Sequence, residues 1–239
     1  MWKFALRATQ LGDIRKLLSP KFFRVFPTSK IRDAVGELYS NYRDGERFDR
    51  AVERRADSLE VAEVPVRIDP ELEPHDSSRH DHGAAVLELY FHQLFEEGAA
   101  LLDLRRARFE ARDRELEWSP TALYVDWEED FLEGLRAMYR GFYLDDDRQF
   151  QQGLRELNLQ GVGEILLEHF GEGDQRAVTF EMDHFRESFD ELLVRCDRED
   201  RSLHHQFAPL GVYLATLYEH LEQLGGAHDV RGAFDAVHG

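Results

Sequence analysis

The chain has 239 residues, 42% of them hydrophobic, which is enough to bury one sizeable core and excludes intrinsic disorder. It has no run of 18 apolar residues and no signal-like leader, which argues against a membrane span and for the cytoplasm, and its one cysteine, Cys196, can neither close an intramolecular disulfide nor build a thiolate zinc site. A formal net charge of −18 makes nucleic acid an unfavourable partner.

The charge is uneven. Residues 1–30 hold seven Lys and Arg against one acid, Asp13, and include all four lysines, Lys3, Lys16, Lys21 and Lys30. Trp2, Phe4, Leu6, Leu11, Ile14, Leu17 and Leu18 recur there at helical spacing, so this first segment reads as a basic amphipathic helix ended by Ser19-Pro20. Its natural destinations are the acidic body of its own chain, an acidic protein partner, or peripheral contact with an anionic membrane surface.

A second region, 31–83, is predicted to hold helices over 29–42 and 46–59, an edge strand or connector around Pro65, and a polar loop from Pro70 to Gly83. That loop carries His75, His80 and His82 with Asp76 and Asp81, five side chains of metal-ligating type that are equally the composition of a solvated linker.

The third region, 84–239, begins with a helix predicted over 84–102, with Val86, Leu87, Tyr90, Leu94 and Phe95 on one face. Short strands follow between Arg108 and Asp126, and from Glu128 onward the pattern is helical, broken at 141–146, 161–163, 171–174 and 225–226. Glu181 and His184 have the spacing of a di-iron bundle ligand pair, but no second Glu-x-x-His occurs, so they read as surface residues opposite Phe180, Phe185, Phe189, Leu192 and Leu193. His204-His205 reads as the polar start of a helix whose apolar residues run from Phe207 to Leu224.

The stretch from Leu87 to Asp103, LELYFHQLFEEGAALLD, resembles the segment entering the catalytic loop of the AarF/UbiB family of atypical kinases. In that family a helix ends in Gln, four residues, Gly and two apolar residues, then the loop H-x-D-x-H-x-G-N and, after a short hairpin, Asp-Phe-Gly. Gln93 and Gly98 match the helix end, Asp103 takes the place of the loop Asp, and Asp126 in Val125-Asp126-Trp127 takes that of the second, metal-binding Asp. Residues 131–157 are similar to the two helices that follow in the family, so the resemblance covers about residues 84–160.

Four of the five signature residues differ, with Leu101, Arg105, Ala107 and Arg108 standing for His, His, Gly and Asn. Arg108 cannot ligate a cation, because guanidinium has no acceptor atom; it is expected to pair with Asp103 or Asp126 as a fixed positive charge. No lysine follows Lys30, and the residues ahead of the matched helix contain no recognisable phosphate-facing lobe.

The sequence therefore predicts a mainly α-helical protein with a small β-hairpin, resembling a reduced protein-kinase-like C-terminal lobe. The resemblance implies a catalytically inactive, pseudokinase-like interaction module with a protein partner and no cofactor. Under one alternative, a divergent phosphotransferase, Asp103 would be catalytic, Asp126 would hold Mg2+ with ATP, and Arg105 or Arg108 would neutralise phosphate charge. Under a second alternative the chain is a helical scaffold unrelated to kinases, with the two acids facing water independently.

Overall fold

The computed structural model describes residues 45–72, 82–112, 115–163, 165 and 177–238. The basic helix expected at the N-terminus, the helix expected over 29–42, and His75 and His80 lie outside the described residues. The described part is mainly helical with a small sheet. In chain order it runs α1 (Gly45–Val61), β1 (Val66–Ile68), α2 (Gly83–Phe95), β2 (Ala100–Leu101), a single 3-10 turn (Arg106–Arg108), β3 (Phe109–Arg112), β4 (Glu115–Trp118), β5 (Tyr124–Val125), α3 (Glu129–Tyr143), α4 (Asp147–Glu156), α5 (Met182–Arg198), α6 (Phe207–Leu224) and α7 (Val230–His238).

Helix α2 is the centre of the core. It is not amphipathic as expected: Leu87, Tyr90, Phe91 and Leu94 are fully buried, and so are Leu89 and Gln93 on other faces, because neighbours surround it. Helix α7 packs along it through edge-to-face contact of Phe91 with Phe234, and α6 lies against it through the Tyr90 and Tyr213 rings. Helix α2 also stops earlier than its apolar run suggests, at Phe95, because Gly98 adopts φ 105° and turns the chain into β2.

Helices α3 and α4 form a tight antiparallel pair, with Asp146 capping α4 by accepting from the Gln149 N–H at 3.0 Å. The break expected over 141–146 is shorter. Gly141 remains inside α3, where a Cβ would sit 2.2 Å from the Phe150 backbone nitrogen; glycine is there for close helix approach, not for a turn. Helix α5 buries Phe185, Phe189, Leu192 and Leu193 while Glu181 and His184 are exposed.

The expected hairpin divides into two small sheets. Strands β3 and β4 pair antiparallel, and β1 adds parallel to β4 as the edge expected near Pro65. Strand β5 pairs instead with β2, with Ala100 opposite Val125 and Leu101 opposite Tyr124. Across residue 83 the chain packs together: β1 joins β4, and Leu59 and Val66 share the core of the later helices.

Candidate functional site

Strand β2 delivers Leu102, Asp103 and Leu104 into the centre of the molecule, and α6 fixes them there. The Thr216 hydroxyl donates to the Leu102 carbonyl at 2.6 Å and accepts from the Leu104 N–H at 3.3 Å, while His220 Nδ1 donates to the Leu104 carbonyl at 2.8 Å. At the entry to the strand, the Gln93 side chain accepts from the Leu101 N–H at 2.8 Å and donates to the Leu101 carbonyl at 3.2 Å. Three polar side chains thus satisfy a backbone that a regular sheet would otherwise have to satisfy.

Asp103 is fully buried. Arg105 reaches back two residues and grips it with both ends of the guanidinium fork, Nε to Oδ1 and Nη2 to Oδ2, each at 2.6 Å. The Thr121 hydroxyl donates to Oδ2 at 2.8 Å, and Arg108 Nε adds a second cation at 3.3 Å. Burial alone would raise the carboxyl pKa. The Arg105 hydrogen bonds and charge, the Thr121 hydroxyl and the Arg108 charge act against it and bring the net below the ordinary carboxylate value. Asp103 is therefore ionised and occupied on both oxygens. The Trp118 indole N–H closes the set by donating to the Asp103 carbonyl at 3.1 Å.

Asp126 is elsewhere. It follows β5 as Asp103 follows β2, and the two strands are antiparallel, so the acids leave opposite ends of the ladder. Asp103 and the residue opposite Asp126 are four positions apart in sequence, roughly 10 Å or more along the strand. Asp126 is partly exposed and paired with Arg47 of α1. A metal site shared by Asp103 and Asp126 does not assemble, and Arg108 takes the Asp103 side of the pairing expected for it. The residue directly after the β3–β4 hairpin is Ser119, whose N–H donates to the Arg108 carbonyl at 2.9 Å.

A second polar cluster escaped the sequence reading. Between α1 and α2 lies a cleft of about 400 Å³ bordered by Arg54, Asp57, Ser58, His92 and Glu96. Arg55, 2% exposed, donates to the Ala99 carbonyl at 3.1 Å and to the Ser58 hydroxyl at 3.4 Å, and that hydroxyl lies 2.6 Å from His92 Nε2. Arg55 donates to this hydroxyl, which either donates to or accepts from His92 Nε2 according to the histidine tautomer. This is the contact of a nucleophile and its base, but burial and the Arg55 charge push the His92 pKa down to about 4, too low for an effective base near neutrality. No sequence signal announced it, because the residues are 34 positions apart on two different helices.

Comparisons with protein-family models, with curated proteins and with solved structures find no match to this chain. No helix among the described residues is long and apolar enough to cross a membrane.

Proposed function

We propose that the protein is a catalytically inactive, pseudokinase-like module, descended from an AarF/UbiB-type atypical kinase, that works through contact with a protein partner. The observation that carries this reading is the Asp103 carboxylate, buried and taken up by Arg105, Arg108 and Thr121. In phosphoryl transfer the loop Asp must be free to receive the acceptor hydroxyl, and a second acid must hold the metal that neutralises the phosphates. Here two arginines stand over the first acid, and Asp126, read as the second, is paired with Arg47 at the other end of the β2–β5 ladder. Arginine in the place of a metal-ligating Asn supplies a permanent positive charge where a divalent cation would otherwise sit, which stabilises the loop and removes its use. The basic segment 1–30 is the proposed docking element toward an acidic partner, with peripheral membrane contact as the alternative target, and no cofactor is required.

A thermal-shift titration of the full chain with ATP, ADP and GTP, each with and without Mg2+, tests the reading. A ligand that binds the folded state raises its stability by about 2.7 kcal/mol at a hundredfold excess over Kd. No magnesium-dependent shift is expected. A shift that requires Mg2+ and is lost in Asp103→Asn would replace this reading with a divergent phosphotransferase. Restoring the family residues with Arg105→His and Arg108→Asn is expected to confer Mg-nucleotide binding; a well-folded double variant that gains none would favour a scaffold unrelated to kinases.

A further inference from the structure

His204 and His205 stand just ahead of α6 as the polar helix start expected there, and His204 Nδ1 accepts from the Gln206 N–H at 3.3 Å. Helix α6 starts at Phe207 with Gln206 at its N-cap position and no side-chain cap bond. The two imidazoles turn toward Glu128, the residue preceding α3: His204 Nε2 lies 3.2 Å from one carboxylate oxygen and His205 Nε2 3.0 Å from the other. One ligand atom from each of the three residues falls within a 4.8 Å span. Ligand atoms on a tetrahedral zinc ion with bonds of about 2.1 Å stand about 3.4 Å apart, so the nitrogen–oxygen spacings are already close to those of a shared metal.

The cluster is also held in place. Gln206, 2% exposed, accepts from the Glu128 N–H at 2.8 Å and donates to the Asp126 carbonyl at 3.2 Å, tying the segment before α3 to the segment before α6. The His204 ring stacks on Phe131 with centroids 5.0 Å apart. His205 Nδ1 is buried with no hydrogen-bond partner among the described residues, so Nε2 is the ring nitrogen that faces Glu128 and is accessible to an ion; binding there requires the proton on Nδ1. Asp126, Glu129 and Asp130 beside the cluster make its surroundings attractive to a dication.

We propose that Glu128, His204 and His205 bind a divalent cation of the zinc class, with two imidazoles, one carboxylate and a fourth position open to solvent. Two imidazoles with one carboxylate favour Zn2+ or Co2+ over the oxygen-preferring Mg2+ and Ca2+. The Glu128 side chain is about half exposed, which leaves the ion an entry path. On binding, the His204 proton moves from Nε2 to Nδ1, giving up the long 3.3 Å bond from the Gln206 N–H in exchange for a metal bond. This site is independent of the pseudokinase reading and stands or falls without it.

The test uses the full chain carrying His75→Ala and His80→Ala, which removes competing loop imidazoles. Co2+ is titrated and its visible absorption followed, then Zn2+ is added to displace it. One equivalent is expected to bind with the intense visible bands of a tetrahedral centre and to raise the melting temperature. Glu128→Gln and His205→Ala are each expected to weaken binding by at least about tenfold, with each variant's metal-free melting temperature measured as its own baseline. Absence of one-equivalent binding up to about 100 μM metal, or an affinity unchanged in Glu128→Gln, overturns the proposal.

Discussion

Removing Arg105 is the most informative perturbation of the buried loop. Asp103 has no exposure and receives two 2.6 Å bonds from Arg105, so Arg105→Ala strands a desolvated carboxylate with only Thr121 and a longer contact to Arg108. Breaking one side of a buried ion pair costs about 3–5 kcal/mol, and the remaining partners hold this case to about 3 kcal/mol. Asp103→Ala costs less, about 2 kcal/mol, because Arg105 keeps 16% of its side-chain surface and can turn its charge to water. The double variant is then less damaging than the two singles together, with a coupling of about 1.5–3 kcal/mol in a urea-denaturation cycle at pH 7. Two results would refute the reasoning. A coupling below about 0.5 kcal/mol would mean that the pair does not form in solution. An Asp103→Asn variant more stable than wild type would mean an acid kept under strain for chemistry, as active-site acids are, and not one kept for structure.

Stability also carries a signature in pH. His92 titrates at about 4 in the fold against 6.5 unfolded, so the unfolded chain takes up a proton first; its contribution is intact above pH 6.5 and is lost as pH falls toward 4. At 1.36 kcal/mol per unit the loss is about 3 kcal/mol at most, nearer 2 with the cleft alongside, and urea midpoints at pH 7 and 4.5 should converge in His92→Gln. Asp103 has the opposite chemistry and a lower window: its folded value is depressed below 3.8, so its stabilisation is present above that pH and disappears only as pH falls through the folded value. Gly141→Ala drives a Cβ into the Phe150 backbone and is expected to cost about 1–3 kcal/mol in thermal unfolding, whereas Gly45→Ala, with nothing within 4 Å, should change little. Thr216→Val removes the hydroxyl joining the Leu102 carbonyl to the Leu104 N–H; about 1–2 kcal/mol should be lost, with faster hydrogen exchange at the Leu104 amide, and unchanged exchange there would exclude the clamp.

Much of this was legible because chain-local chemistry carries it. The pairing of Arg108 with Asp103, five residues away, is one of the two expected from the sequence, whereas the closer Arg105 contact was not anticipated. The apolar face of α5 followed from periodicity, since it lies against the core on one side, while the broad apolar run of α6 fits a helix buried on nearly every face. Asp126 failed for the opposite reason. Its place depends on which strand β5 joins, and Tyr124-Val125 has the same β-branched and aromatic character whether it extends the hairpin or pairs with β2. The Ser58–His92 contact and the Glu128–His204–His205 cluster are non-local in the same sense.

The register of two residue pairs therefore decides how the chain's chemistry is read. Pairing of Ala100 with Val125 sends Asp103 inward to the arginines and Asp126 outward to Arg47, and it leaves Ser119 at the end of the hairpin. The polar groups around Asp103 are then satisfied within the protein: the carboxylate by guanidinium, the backbone by Thr216, His220 and Gln93. A loop built to bind a nucleotide must instead hold polar groups in reserve for its ligand, at a cost in stability. The cluster of Glu128 with the two histidines ahead of α6 lies beyond the other end of the β2–β5 ladder, where Glu128 follows β5 and is reached by water.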